Sequence, residues 1–148
     1  MTMTPGDYLR LRREAAGLSI EDVAARIETA PHVPHRDRAA WLKAIENGIA
    51  PLSNGSAILL RFMFRFDPVV LDTLAARVSG YEVEVPAICR LCGCSEFDAC
   101  GTARAPCAWA DEAKSVCDGC ANLCAPDLHS HETRPGTFPP GAQPGVPA

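Results

Sequence analysis

A chain of 148 residues with 47% hydrophobic and 22% charged side chains has material for one ordinary domain or two small ones, which excludes a fibre or a wholly unstructured tail. Its net charge of -4 excludes a broad basic surface for gripping nucleic acid, so any such contact rests on a local patch. No stretch approaches the roughly 18 apolar residues of a membrane span, and Met1 to Asp7 lacks the basic-then-apolar pattern of a secretory signal; a cytoplasmic chain without a membrane partner is expected.

Charge and cysteine divide the sequence. Residues 1–80 carry ten Lys/Arg against nine Asp/Glu, whereas residues 81–148 carry four against nine, and all eight cysteines lie between Cys89 and Cys124. The composition predicts a helical domain over 4–80, a linker over 81–88, a cysteine-rich module over 89–124, and a disordered Pro/Gly-rich tail over 125–148.

Thr4-Pro5 places a capping residue before a proline suited to the first helical position, and Tyr8, Leu11 and Ala15 follow at helical spacing until Gly17. The first helix is expected over about 5–16. Ser19, with Asp22 three positions on, is a capping box for a second helix over about 20–28. A stretch broken by Pro31 and Pro34 precedes a third, about 36–47, in which Trp41, Leu42 and Ile45 share a face and Gly48 ends the run. Ile58, Leu59, Phe62, Met63 and Phe66 form a wide apolar stripe on a fourth, about 55–66. Asp67-Pro68 opens a fifth, about 68–79, carrying Val70, Leu71, Leu74, Ala75 and Val78 to Gly80. Five short helices make the fold class mainly α.

The run Tyr8-Leu9-Arg10-Leu11-Arg12-Arg13-Glu14-Ala15-Ala16-Gly17-Leu18-Ser19-Ile20-Glu21-Asp22-Val23-Ala24 resembles the opening of the phage-repressor, or Xre/Cro-type, helix-turn-helix family. Leu42-Lys43-Ala44-Ile45-Glu46-Asn47-Gly48, followed by Pro51 and Leu52, is similar to the end of that family's recognition helix. The resemblance covers about the first 80 residues and implies DNA as partner and a homodimer on a two-fold site. Matched back from Gly48, the base-facing positions fall on Arg38, Ala39, Ala40, Trp41 and Lys43, with Leu42 and Ile45 buried. The segment from Ile27 to Gly48 is about eight residues longer than the family pattern, so the turn becomes a loop. Only Arg38 and Lys43 offer strong donors to base edges, and Arg36, Arg38 and Lys43 suit phosphate contact. Arg36, Arg38, Trp41 and Lys43 are the candidate DNA-binding residues.

The cysteine segment speaks more directly. Cys89-Arg90-Leu91-Cys92 and Cys117-Asp118-Gly119-Cys120 are two C-x-x-C pairs, and each such turn presents two thiolates on one side of a knuckle, so that two complete a tetrahedron around a borderline-soft ion. Reducing compartments disfavour disulfides and make clustered thiols metal ligands. Cys94, Cys100, Cys107 and Cys124 remain for a second site, giving one or two zinc ions; an iron–sulfur cluster is the alternative cofactor, and His129 or His131 can replace a thiolate. The stretch Cys89 to Cys100, with Cys107-Ala108-Trp109 and Val116 to Cys120, is similar to a cysteine module of phage and prophage-type bacterial proteins, which implies a small metal-binding unit of zinc-ribbon type.

No nucleotide-binding glycine motif, metalloprotease motif or histidine beside a nucleophile occurs, so no enzyme is expected. The reading is a DNA-binding transcriptional regulator with a structural zinc module. The alternative is a metal-binding adaptor that contacts a protein partner through the cysteine module, or a thiol or iron–sulfur redox sensor, without reading DNA.

Overall fold

Capping chemistry sets the helix starts in the computed structural model of the protein, which describes residues 2–124. The expected disordered tail at 125–148, with His129 and His131, lies outside the described residues. Helix α1 (Pro5–Ala15) opens on a capping box: the Asp7 amide donates to Thr4 Oγ1 at 3.1 Å and the Thr4 amide donates to Asp7 Oδ2 at 3.2 Å. Ser19 and Asp22 repeat the device at α2 (Ile20–Ala24). A single 3-10 turn, His35–Asp37, runs straight into α3 (Arg38–Glu46). Gly48, at φ 70°, then takes the left-handed conformation that closes a helix with little strain for glycine alone. Helix α4 (Asn54–Leu60) is capped by Ser53 and α5 (Pro68–Val78) by Asp67.

Helix α1 packs against α3 and α5, and α2 against α3. Tyr8 and Leu9 of α1, Val23 and Ile27, Leu42 and Ile45 of α3, and Val70 and Leu74 of α5 meet in one buried cluster. The backbones of α1 and α3 come close at Gly6, where a Cβ would lie 2.3 Å from the Glu46 carbonyl oxygen. Beside it, Arg13 forks onto Glu46, Nε to Oε1 at 2.7 Å and Nη2 to Oε2 at 2.8 Å, both side chains buried. Paired donors on paired acceptors are the geometry in which a buried guanidinium is best satisfied.

One expected core element is rearranged. The stripe on 55–66 breaks: Ile58, inside α4, is 59% exposed, and Phe62, past the helix end at Leu60, is 81% exposed. Phe66 of the stripe is in the core, with Leu59 and Met63 packed against it, and Leu60 and Phe64 take the remaining buried places, the Phe64 and Phe66 rings 5.7 Å apart. A turn over 61–63, with the Phe64 amide still bonded to the Leu60 carbonyl at 3.1 Å, leads into an irregular stretch in which Phe64 and Phe66 face inward and Arg65 outward. Helix two is also shorter than expected, ending at Ala24.

The segment 81–88 lies on the helical half: Val85 and Ile88 pack against its core and Arg77 Nη1 donates to the Val83 carbonyl at 3.0 Å. Beyond it regular structure is sparse. An antiparallel pair, β1 (Gly101–Thr102) and β2 (Ala105–Pro106), and a short α6 (Asp118–Cys124), unexpected from sequence, hold the cysteine region. The molecule is mainly α, with six α-helices among the described residues. None of them is long and apolar enough to cross a membrane.

Candidate metal centre

Two tight turns and the start of α6 deliver the thiols. In the first turn the Gly93 amide donates to the Cys89 carbonyl and the Cys89 amide to the Cys94 carbonyl, each at 2.8 Å, which points Cys89 and Cys92 to one side. In the second, the Cys120 amide donates to the Cys117 carbonyl at 3.1 Å. The turns face each other: Arg90 donates its amide to the Ser115 carbonyl at 3.0 Å, and the Cys117 amide donates to Cys89 Sγ at 3.5 Å. Asp111 holds the approach to Cys117 by accepting from the Ser115 hydroxyl and from the Ser115 and Val116 amides, the amides at 2.8 and 3.2 Å, and these bonds, the hydroxyl's foremost, lower its carboxyl below the usual range.

This geometry gathers Cys89, Cys92, Cys117 and Cys120 into one four-thiol group, with all sulfur atoms within 4.8 Å of one another. These are the residues that the two C-x-x-C pairs pick out. A second group of the same tightness is Cys92, Cys94, Cys100 and Cys117. Its membership differs from the remainder set Cys94, Cys100, Cys107 and Cys124, because the fold returns Cys92 and Cys117 to both groups. Cys107 sits 3.6 Å from Cys94 by sulfur, and the Cys124 side chain lies outside the described residues. Cys89, Cys92, Cys94 and Cys117 are buried, with Trp109 packed against them.

Sulfur separations carry the chemical meaning. Cys92–Cys117 is 3.8 Å and Cys100–Cys117 is 3.6 Å. A tetrahedral ion with metal–sulfur bonds of about 2.3 Å spaces its thiolates about 3.8 Å apart, whereas a disulfide bond is only about 2.05 Å long. Without a cation such crowding restrains ionisation. Hydrogen bonding from Cys94, ahead of its other thiol neighbours, draws the Cys92 thiol down to about 4. Cys94 is pushed up by its bond to Cys92 and by burial, and burial together with neighbouring thiols pushes up Cys100 and Cys120. One sulfur takes the negative charge and its neighbours stay protonated until a cation compensates them. Buried four-cysteine groups of this kind are consistent with a metal ion such as zinc.

The centre is fastened to the helical half by groups that the motif reading passed over. Arg12 of α1, 5% exposed, donates through Nη2 to Asp98 Oδ2 at 2.7 Å, through Nε to the Arg65 carbonyl at 2.9 Å and through Nη1 to the Cys92 carbonyl at 3.5 Å. Arg65 pairs with the other oxygen of Asp98. Gly93, at φ 72°, lets this happen: a Cβ there would meet Arg12 Cδ at 2.9 Å. The available signal was the spacing of Leu9, Arg12 and Arg13 at i, i+3 and i+4, which puts both arginines on the buried face of α1 and requires buried partners for them.

The DNA candidates separate. Arg36 and Lys43 are exposed. Trp41 is half-buried against the core, beside Pro31, Val33, Pro51 and Leu52. Arg38 is 6% exposed and turned inward, bonded to the carbonyls of Ile27 and Val33 and paired with Glu28. Its assignment to base reading is corrected: the long loop before α3 has carbonyls that need a donor, and Arg38 supplies it. No protein-family model, curated protein or solved structure matches the chain. Fold and site together define a class, a helical protein with a buried cysteine cluster able to hold a metal.

Proposed function

We propose that this chain is a zinc protein that works by binding, a regulator that associates with DNA through its helical half while the cysteine region serves as a metal-held structural unit. The observation that carries the metal part is the Cys89, Cys92, Cys117, Cys120 group. Four thiolates close a tetrahedron and leave no position for a reactive water, so the ion's role is structural. Zinc is favoured over an iron–sulfur cluster because sulfurs this close suit ligands of a single ion, whereas bridging sulfides spread thiolates on different irons further apart.

The DNA part is supported by the likeness of residues 8–24 and 42–48 to the Xre/Cro family and by the packing of α2 on α3. With Arg38 withdrawn, Arg36 and Lys43 remain as exposed donors. Both suit phosphate better than base edges, so binding is weakly sequence-selective. An electrophoretic shift with the zinc-loaded full chain at low salt tests this. The shift is expected to disappear in Arg36→Ala plus Lys43→Ala, and its logarithmic salt slope to be about -2 for two phosphate contacts per chain. No shift at about 50 mM salt overturns the DNA part and leaves the zinc part standing.

A second reading has its own observation, the Arg12–Asp98 pair that ties the cluster to α1. In that reading the cysteine region senses metal or thiol oxidation and passes the change to the helical half, which contacts protein instead of DNA. Its signature is absence of the shift together with loss of amide protection in α1 on chelation.

A further inference from the structure

Cys92 and Cys117 belong to both four-thiol groups, and their sulfurs are 3.8 Å apart, the separation of two corners of one tetrahedron. Two tetrahedra that have two corners in common share an edge. We infer that the cysteine region holds a dinuclear zinc centre in which the thiolates of Cys92 and Cys117 bridge both ions. Cys89 and Cys120 complete the first ion, and Cys94 and Cys100 the second. This rests on the zinc reading above and deepens it.

Charge favours sharing. Two separate zinc tetrathiolates carry two negative charges each, whereas a pair sharing two thiolates carries two in all. Residues 81–124 are already acidic, with seven Asp/Glu against three Lys/Arg, and four of the six sulfurs belong to buried residues where each uncompensated charge is costly. Position agrees: Cys117 is 1% exposed, and it reaches Cys92 on one side and Cys100, at 3.6 Å, on the other. The backbone of the other bridge is also anchored, since the Cys92 carbonyl faces the Arg12 guanidinium. Cys107, close to Cys94 but outside both groups, is not required as a ligand.

The test uses the full chain loaded with zinc under reducing conditions, with native mass spectrometry and zinc-edge X-ray absorption. The expected result is two zinc ions per chain, a first shell of sulfur only, and a zinc neighbour at about 3 Å: regular tetrahedra sharing an edge with bonds of about 2.3 Å give about 2.7 Å, and repulsion between the two cations lengthens it. Cys107→Ser is expected to keep both ions. Loss of one ion in Cys107→Ser, or two ions without a zinc neighbour, overturns the shared-edge centre in favour of separate sites. One ion per chain, with Cys94 and Cys100 open to alkylation, overturns it while leaving the closed site of Cys89, Cys92, Cys117 and Cys120 intact. Failure to retain any zinc overturns both.

Discussion

Residues 5–78 bury twelve apolar side chains in one cluster, whereas the cluster buried within residues 89–117 consists of four cysteines with Trp109 and further thiols against them. The helical half satisfies its backbone within helices whose first turns are capped by Thr4, Ser19, Ser53 and Asp67. The cysteine half has a pair of two-residue strands and a seven-residue helix, too little regular structure and apolar area to offset the entropy of ordering its loops. The difference teaches that one half is stabilised by transfer of carbon surface out of water, whereas the other, on the function proposed above, relies on metal–sulfur bonds in place of a core.

The sharpest way to break the comparison is to remove a thiolate. Cys89→Ala should release metal and open residues 89–117 to protease while fragments spanning 5–78 persist, since structural zinc sites contribute about 10–16 kcal/mol of apparent folding energy. Next comes the joint between the halves. Asp98→Ala leaves the Arg12 guanidinium buried without its carboxylate, which should cost about 3–5 kcal/mol, measured by urea unfolding of the zinc-loaded chain. Combining it with Arg12→Met should recover much of that loss, because no unpaired charge then remains inside.

Substitutions confined to the helical half should leave zinc content unchanged. Gly6→Ala drives a methyl group into the Glu46 carbonyl and should lower stability by about 1–3 kcal/mol. Smaller again is the loss of a cap: Ser19→Ala should cost about 1 kcal/mol, read as a lower Tm. A pH arm follows from the same caps. At Asp7, burial opposes ionisation but the Thr4 hydroxyl and amide and Arg10 outweigh it; at Asp22, the Ser19 amide and hydroxyl outweigh a smaller desolvation effect, and Arg26 adds to them. Both carboxyls are therefore depressed in the folded state. Their stabilisation is fully present above the ordinary carboxylate range and lost as pH falls through the folded values. In Asp22→Asn, the acid limb of the stability profile should flatten.

Much of the helical half was legible because its signals are local. Thr4-Pro5, Ser19 with Asp22, and Asp67-Pro68 fix helix starts through bonds that span three residues, and no distant partner overrides them. The pairing of Cys89, Cys92, Cys117 and Cys120 was legible for the same reason, each C-x-x-C being a self-contained turn. What escaped the sequence depends on partners far along the chain. Arg38 looks like a DNA donor until the carbonyls of Ile27 and Val33 are placed beside it. Phe62 looks like core until α4 is seen to end at Leu60, and Ile58 until α4 is seen to bury Ser56 and Leu60 and leave Ile58 outside. The reuse of Cys92 and Cys117 cannot be read from spacing, because assigning each cysteine once is the natural count and only proximity in space reveals the sharing.

The most direct measurement is a two-dimensional amide NMR spectrum of the reduced full chain with zinc and after chelation. If metal–sulfur bonds replace a core in one half only, chelation collapses the resonances of residues 89–117 to unfolded positions. Those of 5–78 stay dispersed, with shifts confined to α1 around Arg12 and to the contact at Arg65. Dispersed signals from 89–117 in the metal-free, reduced chain would contradict this and show that the cysteine region folds on carbon packing alone.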